Sequence, residues 1–314
     1  MDQDKPIAAV AQTSSVLLDT PATIERALGL MADAAAKGAQ LLVFPEAFIG
    51  GYPKGADFHI YLGGRTPQGR AEFKQYYDAA VTVDGPQIAQ LAKAAGQHRM
   101  HVVVGIIERD GGTLYCTAVY LGADGRVLGK NRKLMPTALE RLVWGYGDGS
   151  TLAAVDTPWG KLGAVICWEN YMPALRLAMY QQRVTIYCAP TADDRDTWAS
   201  TMTHIALEGR CFVLSACQHL RRTQFPDAQM HNALPEAADG VLMRGGSLII
   251  DPLGRKLAGP VFNEDALLTA ELDLDLIAQA QMDFDAVGHY ARPDVFSLQV
   301  NTAPQPAVTL GGGA

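Results

Sequence analysis

The sequence predicts an α/β protein whose sheets are covered by helices. Strand-like and helix-like segments interleave along the whole chain. The strand-like segments are short, apolar and rich in β-branched residues, as strands buried on both faces are. The 314 residues show no internal repeat and no Pro/Gly/Ser-rich linker before residue 300. One domain over residues 1–300 is expected, with a tail at 301–314, "NTAPQPAVTLGGGA", that is extended or partly disordered.

Residues 6–12, "PIAAVAQ", read as the first strand. Thr20 is then expected to cap a helix, with Pro21 in its first turn. The stripe Ile24, Ala27, Leu28, Met31 and Ala35 has helical spacing, and Gly38 ends it. "AQLLVFPE" follows as a buried strand, then a helix near 86–98 and the strand "HVVVGIIE". "TLYCTAVYL" and "GRVLGKNRKL" read as a hairpin turning at Ala123, Asp124 and Gly125. Next come strands "TLAAVDT" and "KLGAVIC", a helix at 172–183, strand "VTIYCAP", a helix near 196–209 and strand "CFVLSACQ". "GSLIIDP" and "ALLTAEL" are the last strands.

The formal net charge of −7 disfavours nucleic acid or an anionic membrane as partner. No apolar run is long enough to span a bilayer, and "MDQDKPIAAV" lacks the plan of a signal peptide. Five cysteines, an odd number without a C-x-x-C pair, fit a reducing compartment. A cytoplasmic protein without a zinc centre is therefore expected.

Three strand ends carry reactive groups. "LLVF" runs into Pro45-Glu46, the hairpin ends at Lys133, and "GAVI" ends at Cys167. Ligands in α/β sheets gather outside the carboxyl ends of strands. A carboxylate can take the thiol proton, and an ammonium can stabilise a thiolate and later a charge developing on substrate. Cys167 is also expected to open the turn into a helix, whose free N–H groups favour an anion. Plainer roles exist for each residue. The cysteine can be a small buried hydrophobe, the glutamate a cap or a solvated group, and the lysine a solvated hairpin residue.

The segments "FPEAFIGGYPKG", "RKLMPTALERLVWGYGDGSTL", "CWENYMPALRLAMY", "DRDTWASTMTHIALEGRCFVLSACQ" and "HYARPDVFSL" resemble those of the carbon–nitrogen hydrolase superfamily. The likeness runs from about residue 5 to 298 and is similar to the true nitrilase branch in "CWENYMP" and "HYARPDVFSL". It implies an αββα sandwich pairing into an αββααββα dimer. It implies Glu46 as general base, Lys133 as charge stabiliser, Cys167 as nucleophile and Glu140 as a second glutamate of the site, otherwise a surface residue beside Arg141. Trp168 corresponds to the residue whose backbone N–H faces the developing charge. Tyr52, Phe48, Thr191 and Ala192 are expected around the substrate, with Trp168 completing the pocket; the aromatic rings can equally be core.

The implied activity is hydrolysis of an organic nitrile to the acid and ammonia through a Cys thioimidate and thioester, with some amide by-product. No metal or organic cofactor is required. An amidase or N-carbamoyl hydrolase with the same triad is the nearest rival. Metal-dependent nitrile hydration and a non-catalytic metabolite-binding scaffold stand further off. The resemblance also implies a homodimer or larger homo-oligomer, built through helices 172–183 and 196–209. Relatives with longer tails form spirals; this tail ends at "LGGGA".

Overall fold

The structure, a computed structural model, describes residues 5–235 and 239–308. The first half of the chain forms strands β1 (Ile7–Gln12), β2 (Leu41–Val43), β3 (His101–Asp110), β4 (Thr113–Leu121) and β5 (Val127–Arg132), with helices α1 (Thr20–Ala36), α2 (Pro67–Ala79) and α3 (Pro86–His98). The second half supplies β6 (Val155–Thr157), β7 (Gly160–Ala164), α4 (Pro173–Gln181), β8 (Val184–Cys188), α5 (Asp196–Gly209) and β9 (Phe212–Ser215). It closes with β10 (His219–Arg221), β11 (Val241–Ile250), β12 (Lys256–Phe262), β13 (Ala266–Glu271) and α6 (Asp275–Asp283).

Two sheets result. One has the order β13-β1-β2-β3-β4-β5. The other has the order β10-β11-β9-β8-β7-β6, with β12 on β11. β1, β2 and β3 run parallel, as do β7, β8 and β9. β13 crosses back to pair with β1, so the chain's last strand locks its first.

Side-chain alternation sorts the layers. Ala8 and Val10 face the core between the sheets, while Ala9 and Ala11 face α1 and α3. Ile186 and Cys188 likewise face inward, and Tyr187 faces α4 and α5. Strands covered on both faces must be apolar at every position, which is why the sequence shows continuous runs rather than alternation. The order of layers is helix, sheet, sheet, helix, as the resemblance implied.

Several local expectations need correcting. The cap of α1 is Asp19, whose carboxylate accepts from Ala22 N at 2.9 Å; Thr20 instead donates to Ala79 O. Of "TLAAVDT" only Val155–Thr157 is strand. The strand seen in "GSLIIDP" begins earlier, at Val241. Helices α2 and α6 and strands β10 and β12 were not foreseen. β12 is half-buried or exposed along its length and lacks an apolar run, so burial gives no pattern there. Residues 301–308 of the tail are exposed and have no regular secondary structure; 309–314 lie outside the described residues. Met202, on the helix through which assembly was expected, is fully buried within the subunit.

Candidate active site

Both sheets contribute to one constellation. β2 leads through Phe44, whose N–H bonds Val103 O at 2.8 Å, to Pro45 and Glu46. This turn lies directly against β3 at Gly105. A Cβ there would sit 2.2 Å from Pro45 O and 2.7 Å from Ala47 N, so only glycine lets the turn pack that closely. Lys133 follows β5, its N–H on Cys116 O and its carbonyl accepting from Gly147 N, both at 2.8 Å. Glu46 and Lys133 are each 1% exposed.

The Lys133 ammonium joins two carboxylates. Nζ lies 2.6 Å from Glu46 Oε1 and 2.6 Å from Glu140 Oε2. Glu140 stands in a short 3₁₀ turn, Ala138–Leu142, where it also accepts from Thr137 N at 2.7 Å and from the Tyr52 hydroxyl at 2.8 Å. It thus pairs with Lys133 rather than with Arg141. Two carboxylates facing one ammonium leave an excess negative charge. Burial raises the Glu46 carboxyl above its ordinary value; Lys133 opposes this and Glu140 adds to it. Burial would lower the Lys133 pKa, but Glu46 foremost, with Cys167, Cys116 and Glu140, holds it well above the ordinary value. Glu46 Oε2 has no hydrogen-bond partner among the described residues, which leaves its lone pairs open to a proton.

Cys167 follows β7 by two residues. Its φ is +54°, a left-handed conformation that costs a non-glycine residue about 1–3 kcal/mol and is found at functional sites. Surrounding bonds hold this elbow. Cys167 N donates to Pro190 O at 2.8 Å, and Asn170 Nδ2 donates to the carbonyls of Cys167 at 2.7 Å and Val165 at 2.9 Å. Thr191 Oγ1 donates to the sulfur at 3.3 Å. Cys167 opens the turn that leads into α4. It begins a 3₁₀ turn, Cys167–Tyr171, and α4 starts only at Pro173. Burial pushes the thiol up, Glu46 adds to that, and Lys133 and Thr191 pull it down without prevailing. A thiol raised in this way is harder to deprotonate, and a base beside it offsets that.

A cavity of about 220 Å³ opens over Cys167, lined also by Tyr52, Lys54, Glu140, Trp168 and Ala192. A neighbouring space of about 330 Å³ shares Tyr52, Lys54, Thr137 and Glu140 and has Phe58, Ile60, Leu142, Val143 and Leu234 as apolar wall. The Trp168 indole is fixed by Asp193 Oδ2 at 2.8 Å and lies under the Arg195 guanidinium. Its ring is therefore a pocket wall and not core. Asp57, His59 and His231 form a rim: His231 Nδ1 meets Asp57 Oδ1 at 3.1 Å, and the two imidazoles stack.

Of the expected residues, Glu46, Lys133, Cys167, Glu140, Tyr52, Trp168, Thr191 and Ala192 meet here. Phe48 does not. It is fully buried against Phe44 in the core under α1 and α3, because the left-handed turn at Ala47 directs it away from the site. Sequence reading missed Lys54, Asp193 and Arg195. Lys54 sits in the quoted "GGYPKG", but exposed lysines look alike in sequence.

A family model described as carbon-nitrogen hydrolase matches residues 7–282. An aliphatic nitrilase of Sinorhizobium fredii (strain HH103) is 60% identical over 301 residues, covering 96% of this chain and 97% of that one. A bifunctional nitrilase/nitrile hydratase, NIT4A, of Lupinus angustifolius is 54% identical, covering 96% and 88%. Among solved structures, Saccharomyces cerevisiae Nit3, described as a member of branch 10 of the nitrilase superfamily, superposes with a TM-score of 0.70 at 22% identity, over 91% of this chain and 96% of that one.

Proposed function

The chain belongs to the carbon–nitrogen hydrolase family, and from that premise we propose how its residues act: Glu46 as base, Lys133 and Glu140 as its charge-setting partners, and Cys167 as nucleophile. The enzyme is a nitrilase, converting a nitrile and two waters to a carboxylic acid and ammonia. The observation that carries the residue assignment is Lys133 bridging the buried Glu46 and the half-buried Glu140 beside a strained cysteine.

Glu46 takes the thiol proton as sulfur adds to the nitrile carbon, and that proton passes to nitrogen. The product is a thioimidate. Lys133 and the Trp168 N–H face the negative charge that builds on nitrogen. Water, deprotonated by Glu46, adds to the thioimidate carbon. The C–N bond of this tetrahedral adduct breaks, ammonia leaves, and a thioester remains. A second water cleaves the thioester, returning the proton to sulfur. If the C–S bond breaks first, the amide leaves instead. Covalent catalysis thus divides one hard hydrolysis into easier additions and eliminations.

The polar cavity over Cys167 suits the cyano group, and the apolar wall beside it suits the substituent. Nitriles with an alkyl or aryl arm are expected to outrun acetonitrile. A panel of such nitriles and their amides, with acid, amide and ammonia all quantified, tests this. Turnover of the amides with none of the nitriles overturns the reading in favour of an amidase.

One catalytic unit over residues 1–300, with the tail 301–314 serving assembly, completes the proposal. Leu177 on α4 and Leu207 on α5 are 38% and 39% exposed, and Phe296 of the extended C-terminal segment is 77% exposed. Such apolar surface suits a homodimer through α4 and α5, or a larger assembly. Leu177→Asp is expected to lower assembly and activity together, read by light scattering beside ammonia release. A fully active monomer rejects the dimer. Five free thiols suit the reducing cytoplasm. No helix among the described residues is long and apolar enough to cross a membrane.

A further inference from the structure

Cys167 and Lys133 come from different sheets, and no β-ladder joins β5 to β7. Something else must set the distance between sulfur and ammonium. Asn131 Nδ2 on Ala164 O and the Tyr120 hydroxyl accepting from Ala164 N, both at 2.8 Å, tie the sheets below the site. Near the reacting groups, Gln218 Nε2 donates to Glu46 O at 3.0 Å, and the Glu169 side chain joins the backbones beside Lys133 and Cys167. Glu169 is 1% exposed. Its Oε1 accepts from Leu134 N at 2.6 Å and its Oε2 from Ile166 N at 3.1 Å. Leu134 is the residue after Lys133, and Ile166 is the residue before Cys167.

We propose that Glu169 is a positioning residue that fixes the Lys133 ammonium against the Cys167 sulfur by clamping the backbone beside each. This rests on the roles proposed above for those two residues. The chemistry of the clamp requires a carboxylate. Both partners are N–H donors, so both side-chain oxygens must accept. Glutamine would set its own NH₂ against one of them. Aspartate keeps the two acceptors but is one methylene too short to reach both strand ends. Holding a carboxylate in such a place is unfavourable: burial raises Glu169 to about 7, against the pull of Leu134 N, Lys133 and Ile166 N, with Glu46 adding to the rise. A residue chosen for stability alone would be apolar there.

The nucleophile elbow makes the clamp matter. The left-handed Cys167 has a more relaxed alternative, and the Ile166 bond is one of the contacts that withhold it. Glu169 does not itself line the cavity over Cys167, so substrate binding does not depend on it directly.

The test uses full-length Glu169→Gln and Glu169→Asp. Expected for Glu169→Gln is a kcat lower by roughly 10- to 100-fold, the range for a buried donor that loses its acceptor. KM should stay within about threefold, with unchanged assembly and a near-native melting temperature. Glu169→Asp should show the same split with a smaller loss, and it carries the test if Glu169→Gln does not fold. Alkylation of Cys167 by iodoacetamide, followed by peptide mass spectrometry, should slow in both variants. That readout needs no nitrile, so it separates failure of the clamp from failure of the nitrilase reading. Two results overturn the proposal: folded variants whose kcat and alkylation rate stay within threefold of the parent, or a loss that vanishes once activity is divided by the folded fraction.

Discussion

Cys167→Ala is expected to lower nitrile hydrolysis by at least about 10⁴-fold, the scale seen when a covalent nucleophile is removed. The fold should survive, because alanine leaves a small gap where a thiol met Thr191. Alanine does not relieve the left-handed backbone either, so the elbow keeps its strain. Cys167→Ser should fail almost as completely. A hydroxyl is harder to deprotonate than a thiol, and the thiol here is already pushed up by burial and by Glu46. Turnover quenched in acid should leave a thioimidate or acyl group on Cys167. Cys116 is the informative control. It is also buried, and its sulfur lies 3.5 Å from Glu46 Oε1. Finding the adduct on Cys116 would transfer the role to it. Its thiol is held well above the ordinary value by burial first and by Glu46 next, and it lines no cavity over the elbow.

The second large effect belongs to the buried charge trio. Glu46→Gln keeps shape and removes the base, and a loss of roughly 10²- to 10⁴-fold in kcat is expected. Loss of only a few-fold would move the base to Glu140, the other carboxylate on Lys133. Lys133→Met should cost more than activity. It leaves the buried Glu46 and the half-buried Glu140 carboxylates unpaired, and breaking a buried ion pair costs about 3–5 kcal/mol. Lys133→Arg keeps the charge but cannot seat a planar fork where a compact ammonium bonds two oxygens at 2.6 Å. The sign of the pH dependence follows from Glu46. Its carboxyl is raised above the ordinary 4.5 by burial, and protonation removes the base. Activity should therefore fall on acidification with a midpoint above 4.5, as read from kcat/KM against pH.

How far the site was legible depended on what kind of signal each residue leaves. Glu46 and Cys167 stand where continuous apolar runs stop, and Lys133 at the end of a hairpin strand; an ionisable residue at such a border is visible in a string of letters. Glu140 was visible only by resemblance. Its spacing of seven from Lys133 has no meaning until the 3₁₀ turn Ala138–Leu142 brings its carboxylate back onto the ammonium. Phe48 was misplaced because an aromatic residue just past a strand end can turn to either face. The chain's twist after Ala47, with φ at +49°, turned it toward α1 and α3. Glu169 stood beside the nucleophile in plain view, yet nothing in "CWEN" says that its carboxylate reaches across to another sheet.

By itself the sequence determined that helices cover the sheets and which ionisable side chains stand at the strand ends, while the order of the layers came only from the resemblance. The first two are properties of local pattern: burial on two faces dictates apolar strands, and the chemistry of a side chain is carried in its letter. The tertiary structure alone decided the distances between those groups, the left-handed elbow at Cys167, and the burial that raises Glu46 against the pull of Lys133. These depend on residues as much as 121 positions apart meeting in a dry interior. There a Coulomb interaction is strong and an unpaired group is costly, and neither condition can be read before the chain has folded.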